Sequence, residues 1–163
     1  MAAGIVALAI GVGGYLAYRS PGARNTAPNV GYTLLDGSMA NTDQLRGKVV
    51  LVNFWATDCV PCVDEMPQIA AMHEKFKARG YETLAVAMSY NAPALVIDFA
   101  QRRQLPFSVV IDNTGAFAKS FDQVQVTPTS VLINKRGEIV QRIVGEPDFA
   151  ALHALVEKLL AET

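Results

Sequence analysis

The chain has 163 residues, 51% of them hydrophobic, and a formal net charge of −1, which suits one domain with a sizeable core. The near-zero charge excludes the basic excess of a nucleic-acid binder, and the apolar content excludes a disordered chain. Two cysteines are too few for a disulfide framework, and His73 and His153 lie at spacings unrelated to them, so a structural zinc site is excluded as well.

Ala2 to Tyr18 carries no charged residue and is rich in Ala, Gly, Ile, Val and Leu. As a helix it would be about 25 Å long, marginally enough to cross a hydrocarbon core. Arg19 and Arg24 end it, within a Ser-Pro-Gly-Ala-Arg-Asn-Thr-Ala-Pro stretch that reads as a linker. A retained membrane anchor is the first reading. A cleaved signal peptide lacks a convincing small-x-small site directly after the apolar run, and a buried soluble helix would not be apolar on every face. The expected organisation is an anchor over 1–18, a linker over 19–29 and one domain over 30–163. No Lys or Arg precedes the segment and two Arg follow it, so the positive-inside bias taken literally would place the domain in the cytoplasm.

Val30 to Leu35 reads as a short strand followed by an Asp36-Gly37 turn. Thr42 to Leu45 reads as one helical turn closed by Gly47. Lys48 to Trp55 is a buried strand by its continuous apolar run. After the Ala56-Thr57-Asp58 loop, a helix is predicted from Cys59 to Ala78, stopping at Gly80, with a kink at Pro67. Glu82 to Met88 is a second buried strand. Pro93 to Arg103 is a helix with Val96, Phe99 and Ala100 at helical spacing. Phe107 to Ile111 is a third strand and Gly115 to Phe121 a short helix. Ser130 to Asn134 and Glu138 to Val144 form a hairpin across Lys135-Arg136-Gly137. Asp148 caps a final amphipathic helix bearing Leu152, Leu155, Val156, Leu159 and Leu160. This alternation predicts an α/β domain: a central sheet with helices on both faces and antiparallel strands at one side. His73 and His153 sit in polar stretches and read as surface residues.

The chemistry concentrates at Cys59-Val60-Pro61-Cys62, between a buried strand and a helix. At a helix start, the Cys59 sulfur meets unpaired backbone N–H groups and the positive end of the helix dipole, which favour the nucleophilic thiolate. Cys62 lies one turn on along the same face and suits resolution of the mixed disulfide formed by Cys59. Pro61 fits a first turn, where its missing N–H costs nothing. Asp58 places a carboxylate beside Cys59 that works against the thiolate, making the pair less oxidising; a simple cap acid is the alternative reading. Glu65, three residues after Cys62 on the inner side of the helix, suits a proton acceptor for Cys62 with its pKa raised by burial; a solvated helix acid is the alternative. Trp55 fits core packing or a substrate contact. A metal-binding or inert CxxC is disfavoured by the strand–helix setting, and the methionines form no metal-binding cluster.

Trp55-Ala56-Thr57-Asp58-Cys59-Val60-Pro61-Cys62, followed by Glu65, Met66 and Pro67, resembles the thioredoxin superfamily, and within it the TlpA/ResA-like branch of membrane-anchored, extracytoplasmic thiol–disulfide oxidoreductases. Val126-Thr127-Pro128-Thr129 is similar to the family's cis-proline loop, and Val144-Gly145 to the turn after its last strand. The resemblance covers about residues 28–162. Val30–Gly47 is similar to the branch's N-terminal β extension and Ser89–Ile111 to its central insertion. The resemblance implies a thioredoxin-like fold and no cofactor beyond a redox-active Cys59–Cys62 disulfide. It implies a cis Pro128 that excludes metal, and a Thr127 backbone that pairs with substrate, whereas an X–Pro bond is otherwise cis only about 5–6% of the time. It also implies a disulfide-bearing protein substrate, a DsbD-type membrane electron donor, a periplasmic domain on the cytoplasmic membrane, and cytochrome c or copper-centre maturation as tasks. Two departures stand out. Asp58 occupies a position where the family usually has Trp, which removes part of an apolar lip for partners. Asn53 stands where classical thioredoxins bury an Asp, so proton transfer would fall to Glu65.

The expected activity is therefore disulfide reduction, with Cys59, Cys62, Glu65 and Pro128 catalytic and Thr127, Trp55 and Pro61 at the substrate. A net oxidant of the same fold is one rival. A Cu(I) chaperone using the two thiolates is another, although a proline beside them and no third ligand fit copper poorly. A peroxiredoxin is disfavoured because no Pro-x-x-x-Thr-x-x-Cys pattern surrounds either cysteine.

Overall fold

The computed structural model describes residues 25–162, so the expected anchor over 1–18 and the first part of the expected linker lie outside the described residues. Among the described residues, no helix is long and apolar enough to cross a membrane. Seven strands are present among the described residues: β1 (Gly31–Thr33), β2 (Met39–Asn41), β3 (Val49–Trp55), β4 (Tyr81–Ala87), β5 (Ser108–Ile111), β6 (Thr129–Ile133) and β7 (Ile139–Val144). Four α-helices accompany them: α1 (Val60–Phe76), α2 (Pro93–Arg102), α3 (Ala116–Ser120) and α4 (Phe149–Ala161). The strand order of the main sheet is β5-β4-β3-β6-β7. β3 pairs in parallel with β4, and β4 with β5, whereas β6 runs antiparallel to both β3 and β7. This is the expected thioredoxin-like mixed sheet, with a β1–β2 hairpin as the N-terminal extension.

β3 is central, and every one of its residues is buried. Its continuous apolar run reflects helices on both faces, and strand alternation sorts the side chains between them. Val49, Leu51 and Trp55 join Cys62, Met66 and Ile69 of α1 and Leu152 and Val156 of α4 in one core. Val50, Val52 and Phe54 join Phe117 of α3 and Phe121 directly after it in the other. Asn53 therefore faces α1. In β6, Leu132 belongs to the first core and Val131 and Ile133 to the second, so Ser130 faces α1 as well. The two polar side chains are opposed in register, Asn53 to Ser130.

Four expectations change. Residues 25–29, expected as linker, are tied to the domain: Thr26 bridges Glu138, and the Ala27 N–H donates to the Gly137 carbonyl at 2.8 Å. The expected Val30–Leu35 strand is half of a hairpin whose partner, Met39–Asn41, is too short for a periodic signal. α1 starts at Val60 rather than Cys59 and ends at Phe76 rather than Ala78, with Pro67 inside it, which has no N–H to offer the Val63 carbonyl one turn back. His73 is only 5% exposed, edge-on to Tyr81 and Phe107, because its helix face turns inward despite charged neighbours; burial lowers its pKa. His153 is half-buried against Phe76.

Asp112 anchors α3. Its buried carboxylate accepts the Phe117 N–H at 3.1 Å and the Ala118 N–H at 2.9 Å, just beyond Gly115 in the left-handed region. This fixes the stacked Phe117–Phe121 pair beneath Phe54. Asp112→Ala should lower the unfolding free energy by about 2–3 kcal/mol, because two charge-assisted bonds are lost and two N–H groups are stranded. A urea titration followed by far-UV circular dichroism measures it.

Candidate active site

Cys59 and Cys62 are joined as a disulfide, with their Cα atoms 5.2 Å apart. The Cys59 side is partly exposed, whereas Cys62 is 0% exposed. Cys59 is the N-cap of α1 rather than its first helical residue: it is extended (φ −89°, ψ 100°), and its carbonyl accepts the Val63 N–H at 3.1 Å. A cap side chain normally meets the N–H of the second or third helical residue. The second here is Pro61, which has none, so the Cys62 N–H is the donor left to a Cys59 thiolate.

Glu65 comes three residues after Cys62 and is 0% exposed. Its Oε1 accepts from Asn53 Nδ2 at 2.8 Å, and the same amide donates to Ser130 Oγ at 3.0 Å. Glu65 Oε2 and Asn53 Oδ1 are buried without a hydrogen-bond partner. One donor is weak support for a charged carboxylate. Burial pushes the Glu65 pKa up to about 7; the Asn53 hydrogen bond opposes this, and the Glu146 carboxylate reinforces it. The reading of Glu65 as a solvated helix acid is thus excluded by its burial.

The Thr127–Pro128 peptide is cis, as the resemblance implies. Pro128 is buried immediately before β6, and its carbonyl accepts the Gly145 N–H at 2.8 Å. Phe54 is registered opposite Thr129, so the proline loop and the CxxC loop leave the sheet at the same end. Thr127 is partly exposed, and its hydroxyl lies 3.4 Å from the Tyr90 hydroxyl. Trp55 is fully enclosed against Phe99, with ring centroids 5.1 Å apart, so a substrate contact is ruled out and the indole supports the loop from beneath. Pro61 and Asp58 are exposed. Asp58 borders an open cleft with Thr57, Leu95, Phe99, Arg102 and Arg103.

Sequence reasoning missed Asn91. Its buried Oδ1 accepts both the Thr57 N–H at 2.8 Å and the Thr57 hydroxyl at 2.7 Å, pinning the loop that presents Cys59. No spacing in the chain marks a residue that acts across 34 positions. Tyr90, 59% exposed beside Thr127, was likewise unmarked.

The chain matches the profile of the Redoxin family over residues 22–156. The chain belongs to the Redoxin family. It is 35% identical over 133 residues to the thiol-disulfide oxidoreductase ResA of Bacillus thuringiensis subsp. konkukian, covering 82% of this chain and 76% of that one. ResA of Bacillus subtilis is 33% identical over 127 residues, covering 78% and 70%. A crystal structure of a thioredoxin family thiol:disulfide interchange protein from Chlorobium tepidum TLS superposes with a TM-score of 0.77 at 26% identity, covering 85% of this chain and 99% of that one. This Redoxin is thus a ResA-like thiol–disulfide oxidoreductase, with the Cys59–Cys62 pair as its redox centre.

Two outcomes follow from the site. Glu65 has a folded-state pKa raised from 4.5 to about 7, so its neutral form stabilises the fold below pH 4.5, and that contribution is lost as pH rises through 7. Compared with Glu65→Gln, the oxidised protein should lose up to about 3 kcal/mol between pH 4 and 8, read from denaturant midpoints at each pH. Asn91→Ala should cost about 1–3 kcal/mol and slow disulfide exchange, because the Thr57 N–H loses its acceptor and the Cys59 loop its anchor. Calorimetry and an insulin-reduction assay measure the two effects.

Proposed function

We propose that this Redoxin reduces disulfides in extracytoplasmic protein substrates, tethered to the membrane by its N-terminal apolar segment. The observation that supports this reading most is the asymmetry of the pair: a reachable Cys59 at a helix N-cap, and an enclosed Cys62 one turn before a buried Glu65 of raised pKa.

The Cys59 thiolate attacks one sulfur of the substrate disulfide, forming a mixed disulfide and releasing the first substrate thiolate. Cys62 gives its proton to Glu65, attacks Cys59 Sγ, and releases the second substrate thiolate. Each substrate thiolate takes up a proton. The substrate gains two electrons and two protons, and the protein keeps the Cys59–Cys62 disulfide. A membrane dithiol donor of DsbD type restores it by the reverse sequence, with Glu65 returning the proton to the departing Cys62 thiolate. The redox group is the cysteine pair itself, with no added cofactor. Pro128 holds the opposite wall, and the Thr127 backbone aligns an extended substrate segment. Asp58 disfavours the Cys59 thiolate and shifts the pair towards reduction of its substrates. The resemblance to ResA supports cytochrome c maturation as the setting.

Trapping tests this sequence of attack. Reduced Cys62→Ser incubated with insulin should accumulate a mixed disulfide through Cys59, visible by mass spectrometry, whereas Cys59→Ser should accumulate none and show only background reductase activity. An adduct through Cys62, or unchanged turnover by Cys59→Ser, would refute the assignment.

A further inference from the structure

Tyr90 is an exposed aromatic side chain on a tightly held backbone, outside the CxxC and proline motifs. Its turn begins where β4 ends. The Met88 N–H donates to the Trp55 carbonyl at 3.0 Å, and the Asn91 N–H donates back to the Met88 carbonyl at 2.9 Å. Asn91 then locks the turn to the cysteine loop by accepting the Thr57 N–H and hydroxyl. Tyr90 therefore lies between two anchored residues. Its hydroxyl reaches the proline loop, 3.4 Å from the Thr127 hydroxyl. That loop is tied on both sides of Thr127: Gly145 donates to the Pro128 carbonyl at 2.8 Å, and the Thr129 hydroxyl donates to the Val126 carbonyl at 2.7 Å. Tyr90 thus links the loop that presents Cys59 to the loop that carries the cis proline.

Two features set this ring apart from a structural brace. A good O–H···O bond is about 2.5–3.0 Å long, so the 3.4 Å contact between hydroxyls holds the loops weakly and leaves the Tyr90 hydroxyl able to bond elsewhere. The ring also stays in water, as do Val126 next to Thr127 and Val60 next to Cys59. A tyrosine on a rigid backbone loses little entropy on meeting a partner, and it offers an apolar face with a polar tip. An extended polypeptide aligned on the Thr127 backbone runs past this ring, with every second side chain on the same face. Asp58, directly before Cys59, is exposed and repels acidic neighbours of a substrate cysteine.

We propose that Tyr90 is a specificity-determining residue for disulfide exchange: its ring receives an apolar side chain adjoining the substrate cysteine, and its hydroxyl meets the substrate backbone beside Thr127. The substrate class that fits is an unfolded or partly folded polypeptide. Apolar residues flanking a cysteine are exposed, and the backbone around it is free to lie along Thr127, only before the chain has folded. This rests on the reading of Cys59 as the attacking thiolate. Contact between Tyr90 and the Thr127 wall selects this occupant, because a segment joined to Cys59 as a mixed disulfide is held at that wall for the life of the intermediate.

The test is single-turnover oxidation of the pre-reduced full chain. Each event converts the Cys59–Cys62 dithiol to the disulfide and one substrate disulfide to two thiols. The substrates are hydroxyethyl disulfide and the homodimeric disulfides of two peptides, Gly-Ser-Leu-Cys-Leu-Ser-Gly and Gly-Ser-Asn-Cys-Asn-Ser-Gly. The wild type should prefer the Leu peptide to the Asn peptide by about tenfold in second-order rate constant. Tyr90→Ala should lower the Leu-peptide rate by about that factor and so remove the preference, while slowing hydroxyethyl disulfide by less than about twofold. Tyr90→Phe should keep most of the preference, because the ring remains. An equal loss on hydroxyethyl disulfide and on the Leu peptide in Tyr90→Ala would make the residue a brace and overturn the proposal. Persistence of the Leu preference in Tyr90→Ala would overturn it too. Equal wild-type rates on the two peptides would overturn it while leaving the role of Cys59 intact. A wild type that reduces none of the three substrates would instead overturn the role of Cys59, and this proposal with it.

Discussion

Glu65 is sealed from water one helical turn beyond a buried sulfur, and a carboxyl group in that position must either be matched by donors or carry a proton. The protein supplies one donor, the Asn53 amide, and shares that amide with Ser130. With Glu65 Oε2 and Asn53 Oδ1 both lacking a partner, the charged form is poorly supported. A site designed only for stability would fill this space with an apolar side chain. The carboxyl group makes sense where a proton has to move without solvent, beside a thiol that must become a thiolate inside the core. Neutrality at rest and charge in transit are then two states of one group, and the balance between them depends on each dipole and charge nearby.

The sheet determines which neighbours those are. Side chains alternate along both central strands, so only the odd positions of β3 and the even positions of β6 face α1. The antiparallel register brings Asn53 to Ser130, and it also places Pro128 level with Trp55 at the end of β3, just before the Cys59 loop. The next pairing sets Gly145 against Pro128. A slip of one residue would turn Asn53 and Ser130 to the opposite core and separate them from Glu65. The placement of the Asn53–Ser130 pair beside Glu65 and of the proline wall beside the redox centre are therefore consequences of a single register.

Most of the architecture was legible because the signals were local. The apolar runs of β3 and β4, the hairpin β6–β7 and the amphipathic α4 each announce themselves within a few residues. The CxxC pair, Pro61 and Glu65 were legible because a helix converts spacing of three into one face. The cis Thr127–Pro128 bond was legible only through resemblance, since nothing in a Val-Thr-Pro-Thr string distinguishes it from an ordinary trans bond. His73 was misread for a physical reason: its neighbours Glu74 and Lys75 are exposed, and composition averages over faces that the helix separates. Asn91 was invisible because its meaning is purely tertiary. Asn91 acts on Thr57 from a loop after β4.

The same logic bears on how a partner meets Cys59. The resemblance implies an aromatic residue directly before the cysteine, and this chain has an exposed Asp58 there. Apolar surface around the redox centre comes instead from separate segments: Val60 at the start of α1 is 69% exposed, Tyr90 59% and Val126 57%. Asn91 fixes the Tyr90 loop to the cysteine loop, and the Tyr90 hydroxyl meets Thr127 beside the cis proline. A surface built from a helix start and two loops is held by the fold and not by one side chain's rotamer. A carboxylate in its midst desolvates poorly, so Asp58 favours partners that leave it wet or bring a donor to it. Apolar contact is thus displaced towards Tyr90 and Val126, on the proline side of the disulfide, the side on which the Thr127 backbone offers its main-chain groups.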